Sequence, residues 1–107
     1  MTDAEKIEAA IRKELKKPNG ELTKADLEEV TRFVLANNKL TDASGLAGLT
    51  QLKTLLLAYN KLTDVSALKG LKQLETLYLN ENDLTKAEID MLKKALPNCE
   101  INHTAKN

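Results

Sequence analysis

Residues 55–64 read LLLAYNKLTD, and nearly the same string stands upstream at 33–42 as FVLANNKLTD and downstream at 77–86 as LYLNENDLTK. Set in rows of 22 residues, the chain falls into columns of like chemistry. Val30, Leu52, Leu74 and Leu96 form one apolar column. Phe33, Leu55, Leu77 and Cys99 form a second, and Leu35, Leu57, Leu79 and Ile101 a third. Asn38, Asn60 and Asn82 share a further column, followed by Leu40, Leu62 and Leu84. Each full row has the form L-x-x-L-x-L-x-x-N-x-L.

One row predicts its own local structure. Leu55 and Leu57 bracket an outward position, as a short strand with one buried face requires. The asparagine then ends the strand, and its side chain carries both an acceptor and a donor for backbone groups at the bend. Stacked rows would make an asparagine ladder, a structural role for Asn38, Asn60 and Asn82 rather than a ligand site. The return legs, TDASGLAGL and TDVSALKGL, are too short for long helices. Leu46 and Leu68 point inward, Gly48 and Gly70 close a turn, and Asp42, Ser44, Asp64 and Ser66 are available to cap amides. A calcium row through Asp42 and Asp64 is disfavoured, since Lys86 occupies that column in the third row.

The L-x-x-L-x-L-x-x-N-x-L rows resemble the leucine-rich repeat family. The 22-residue period with LTD and GL on the return leg looks like the SDS22-like subclass, which includes the bacterial internalins. The resemblance implies an α/β fold, a short leucine-rich-repeat solenoid with a parallel sheet on the concave face and a helical cap at each end. It divides one domain, 1–107, into an N-terminal cap (1–26), repeats (27–48, 49–70 and 71–92) and a terminal strand and tail (93–107), with a cap helix over about 86–96.

Both lids are legible, because the open ends of a coil stack need apolar cover. In residues 3–17, Ile7, Ala10, Ile11 and Leu15 recur at helical spacing, Thr2 and Glu5 match a capping box, and PNG at 18–20 ends the helix. A second short helix is expected from Thr23 to about Val30. At the other end Thr85 and Glu88 again fit a capping box, Ile89, Leu92, Ala95 and Leu96 make the inward stripe, and Pro97 stops the helix. A closing strand runs through Cys99 and Ile101. The tail NHTAKN has no apolar anchor and is expected to fray, and Cys99, in a leucine column, reads as a small buried hydrophobe.

The chain of 107 residues is 42% hydrophobic, enough for one core. Sixteen basic and sixteen acidic side chains cancel, giving no electrostatic reason to expect nucleic acid or an anionic membrane as partner. The first residues carry charges throughout and no apolar signal segment, as in a cytoplasmic chain or a trimmed recombinant fragment, and no run is long enough to span a bilayer. Cys99 is the sole cysteine, so no internal disulfide exists, and compartment stays unknown. His103 is the sole histidine, and no motif for a nucleophile, phosphate loop or metal is present, so no enzyme activity, cofactor or metal is expected.

Function is left to the outward positions of the strands. The central column reads Val34, Leu56, Tyr78, Glu100; Arg32, Thr54, Thr76 and Asn98 flank it on one side, Ala36, Ala58, Asn80 and Asn102 on the other, then Asn37, Tyr59, Glu81 and His103. The partner-binding candidates are Arg32, Val34, Thr54, Leu56, Tyr59, Thr76, Tyr78 and Glu81, with Glu75 on the rim. A strip of this kind suits a protein or peptide partner. The competing reading is a minimal or designed repeat scaffold with no natural ligand, its Val, Leu and Tyr present for strand propensity alone. Weak self-association through the strip could accompany either.

Overall fold

The strings that recur every 22 residues become parallel strands. In a computed structural model describing residues 1–105, β1 (Arg32–Val34), β2 (Thr54–Leu56), β3 (Thr76–Leu79) and β4 (Glu100–His103) form one parallel sheet in the order β1-β2-β3-β4. Parallel neighbours need crossovers, and here these are 3₁₀ turns at Ser44–Leu46 and Ser66–Gly70 and the helix α3 (Lys86–Ala95). Two further helices, α1 (Asp3–Leu15) and α2 (Lys24–Leu27), precede the sheet. The result is a short α/β solenoid with leucine inside. Leu55, Leu57, Leu77 and Leu79 are at most 1% exposed, and Leu40, Leu62, Leu46 and Leu68 join them from the bends and return legs.

The asparagine ladder closes each bend. Asn60 Oδ1 accepts from the amides of Asn38 and Leu40, both at 3.0 Å, while its Nδ2 donates to Leu35 O at 2.9 Å and Leu57 O at 3.0 Å. Asn82 repeats the pattern one coil on, accepting from Leu62 N and donating to Leu57 O and Leu79 O. Backbone groups that a bend would otherwise strand in the core are thereby paired. On the return legs Asp42 and Asp64 each accept from the amide two residues on, Ser44 and Ser66, at 2.8 Å.

The fourth strand departs from the columns. β1, β2 and β3 pair at offsets of 22 residues, Val34 with Leu56 and Leu56 with Tyr78, but β3 and β4 pair Leu77 with Ile101, Tyr78 with Asn102 and Leu79 with His103. That offset is 24 residues, so the coil containing α3 is two residues longer than the others. The central column therefore continues into Asn102, not Glu100, and Ile101 succeeds Leu77. Cys99 leaves the leucine column and is half-buried rather than part of the core. Nor does the described part of the tail fray: Asn102 and His103 belong to β4, Ala105 packs against the core, and Thr104 Oγ1 accepts from Glu81 N at 2.7 Å. Sheet pairing holds it where side-chain apolarity does not. Lys106 and Asn107 lie outside the described residues.

The caps also differ in detail from expectation. α1 has the Thr2–Glu5 capping box, but its stop comes at Lys16, whose φ of 56° is left-handed, ahead of Pro18. α2 ends at Leu27, short of Val30, and turns into β1. At α3, Thr85 caps Glu88 N, yet the Glu88 carboxylate reaches across to Val65 N at 3.0 Å and does not close the box. The stack supplied a better partner than the helix end.

Capping carboxylates tie α1 and α2 down. Asp3 Oδ2 accepts from Thr41 N, Thr41 Oγ1 and Asp42 N at 2.8–2.9 Å, pinning the helix to the first return leg. Gly45 lets it approach, since a Cβ there would stand 3.1 Å from Ile7 Cδ1. Asp26 has its carboxyl lowered from 3.8 to about 2, first by the hydrogen bond from Lys17 Nζ and then by the Thr23 amide, and Asp3 is lowered first by the Thr41 amide. A depressed folded pKa contributes stability that is present above the unfolded pKa and lost as pH falls through the folded one. The melting temperature should thus drop between pH 3.8 and about 2 as Asp26 protonates. Asp26→Asn is expected to flatten that limb in thermal melts followed across this range.

Candidate functional site

Sheet register gathers the candidate residues. Arg32, Thr54 and Thr76 are consecutive partners across β1, β2 and β3, and so are Val34, Leu56 and Tyr78. Strand alternation turns both rows away from the core, for Phe33, Leu55 and Leu77 between them are at most 1% exposed. Adjacent strands lie about 4.8 Å apart, so each row is a continuous strip. Val34 is 46% exposed, while Leu56, Tyr78, Thr54 and Thr76 are half-buried and Arg32 is exposed. Leu56 and Tyr78 thus carry apolar surface on the outer face without being loose. Glu75 and Glu81 are exposed at opposite ends of β3.

Tyr59 stands at the bend, 63% exposed, with φ at 60°. Asn37 and Glu81, in the same column, also have positive φ, near 61° and 58°. Asparagine adopts left-handed backbone readily, but for Tyr59 and Glu81 it is uncommon and costs on the order of 1–2 kcal/mol each. It is held here by ladder bonds, Asn37 N to Ala58 O at 3.0 Å and Tyr59 N to Asn80 O at 2.8 Å. The turn throws each side chain outward just before the inward asparagine. Sequence reading listed this column as outward but missed its conformation, which no glycine marks.

His103, assigned to that column by spacing, is instead paired with Leu79 in β4, and its Nδ1 accepts from Ala105 N at 3.2 Å. Burial, followed by the charge of Glu100, pushes the Cys99 thiol up, away from the reactive thiolate. Among the described residues no group of three or more His, Cys, Asp or Glu could hold a metal ion, and no helix is long and apolar enough to cross a membrane. The strand face offers apolar contact, hydroxyls and charges at its border.

Comparison with known proteins agrees with the architecture. The family model for leucine-rich repeats in two copies matches residues 28–70 and again 50–98, together more than half of the 107 residues. An internalin (inlF) from Listeria monocytogenes has a similar fold, with a TM-score of 0.60 at 23% identity over 94% of this chain and 43% of that one. The structure of the CBM51-2 and INT domains of ZmpB from Clostridium perfringens aligns at 0.64 and 29% identity over 77% of this chain and 17% of that one. The Mex67:Mtr2 structure from Chaetomium aligns at 0.62 and 20% identity, over 92% and 68%. The chain thus spans less than half the length of the first two. No curated protein matches it. Domains of this class generally serve protein binding and are typically non-enzymatic. With the repeated rows, the 22-residue strand register and the family match all pointing one way, the chain belongs to the leucine-rich repeat family.

Proposed function

We propose that this chain is a recognition module that binds a protein or peptide through its concave strand face. Val34, Leu56 and Tyr78 form the anchor strip, Tyr59 extends it at the bend, and Arg32, Thr54, Thr76 and Glu81 give the polar surround. The observation that carries this reading is the continuous row from Val34 to Tyr78, apolar yet on the outer face of the sheet. Buried tyrosine and leucine anchors supply a large share of binding energy where they fill a partner's pocket, with polar rims adding orientation. The partner is a protein, since the face has no charge excess to hold nucleic acid and no cofactor cradle.

The test is an unbiased partner capture with wild type beside the double variant Leu56→Glu, Tyr78→Glu. A partner retained by wild type should lose at least about tenfold in affinity to the variant, about 1.4 kcal/mol. Helicity and melting should stay nearly unchanged, because neither residue belongs to the interior. Full retention by the variant would move the interface off the strand face, and no partner for either protein would favour the scaffold reading.

A further inference from the structure

β1 is the first strand of the sheet, and its outer edge has no strand beside it among the described residues. Leu35 N donates inward to Leu56 O at 2.9 Å. Successive residues of a parallel strand send their backbone groups to opposite sides, so the N–H and C=O of Val34 face away from β2, as do those of Arg32. The next outward carbonyl, Ala36 O, accepts from Asn38 Nδ2 at 2.7 Å, and Asn38 O accepts from Lys6 Nζ at 3.0 Å. No such bond reaches Val34 among the described residues. Between this edge and α1 runs a groove of about 740 Å³ bordered by Ala10, Val34, Lys6, Lys13, Lys16 and Glu14. Lys6, Lys13 and Lys16 against Glu14 give this border an excess of basic side chains in a chain whose net charge is zero, although Lys6 also lies 4.0 Å from the Asp3 carboxylate. Lys13 and Lys16 are exposed and make no salt bridge among the described residues.

We propose that this groove takes an extended acidic segment of a partner protein, which adds a strand to the open edge of β1. The backbone of Arg32 and Val34 supplies the ladder bonds, and Lys13 and Lys16 read the charge. Strand addition draws affinity from main-chain bonds and specificity from the side chains around them. The site lies at the edge of the sheet and meets the strand face at β1 alone, through the backbone of Arg32 and Val34.

A labelled short peptide of alternating Glu and Val, followed by fluorescence anisotropy, tests this. Saturable binding is expected, weakened by salt and absent for a Lys–Val peptide of the same length. Lys13→Gln with Lys16→Asn should weaken it at least about fivefold by removing the local cations, and N-methylation of alternate peptide amides should abolish it by removing the ladder donors. Melting of the double variant serves as the folding control. The Leu56→Glu, Tyr78→Glu variant should bind this probe as wild type does. Equal binding of the Lys–Val peptide, indifference to the lysine substitutions or to N-methylation, loss in the strand-face variant, or self-association that displaces the probe would each overturn the proposal.

Discussion

Asn60→Ala is expected to destabilise the chain by about 3–5 kcal/mol, the largest effect of any single polar substitution. The side chain is only 6% exposed and makes four close bonds to backbone groups of two successive coils. Of these groups Leu57 O keeps a second donor in Asn82 Nδ2, but the amides of Asn38 and Leu40 and the carbonyl of Leu35 lose theirs. Each buried group left unpaired costs roughly 1–3 kcal/mol, and neighbouring losses do not simply add. Against a total stability on the order of 5–15 kcal/mol, such a loss would leave the domain marginal. Asn82, half-buried with bonds to one amide and two carbonyls, should cost less when replaced by alanine. Asn38, whose amide caps only Ala36 O, should cost least. Urea midpoints followed by circular dichroism give the order directly, and equal midpoints for the Asn60 and Asn38 variants would contradict it.

The second large effect separates two adjacent leucines. Leu57 is wholly buried, so Leu57→Ala removes core contacts and leaves a void, at about 2–5 kcal/mol. Leu56, one residue earlier, faces the other way and is half-buried, and Leu56→Ala should cost about 1 kcal/mol or less. In a stack this short each coil relies on its neighbours to bury its interior, so the Leu57 variant should still unfold in a single transition at a lower midpoint. Comparable losses at the two positions would mean that the two faces of the sheet are not distinct. The same contrast helps to separate the proposed interface from folding, because face substitutions cost far less stability than core ones.

Much of this organisation can be read from residue columns. The inward leucines, the asparagine ladder and the lids at both ends follow from pattern, since every coil must bury the same positions against its neighbours. The strand-face strip from Val34 to Tyr78 follows as well, because a uniform row length carries register along with it. The left-handed turns at Tyr59 and Glu81 did not, since ladder bonds from the next coil impose on them a conformation that only Asn37, in the same column, favours by itself. The anchoring of α1 by Asp3 to Thr41 and Asp42 joins residues 38 and 39 positions apart and has no pattern to betray it. The diversion of Glu88 to Val65 is of the same kind.

The limit of pattern shows best at β4. Strand side chains alternate with period two, so a shift of two residues returns every side chain to the same face and leaves an apolar column looking intact. Ile101 fits beside Leu79 on paper as well as it fits beside Leu77 in space. Residue order alone was therefore enough to establish the repeat, the buried face and the caps, all of which depend on which side a residue faces. How far along its neighbour the last strand sits depends on the length of the coil around α3, whose Ile89 and Leu92 are buried in the core. That is settled only when the coils close against one another, and with it the exposure of Cys99 and the place of Asn102 beside Tyr78.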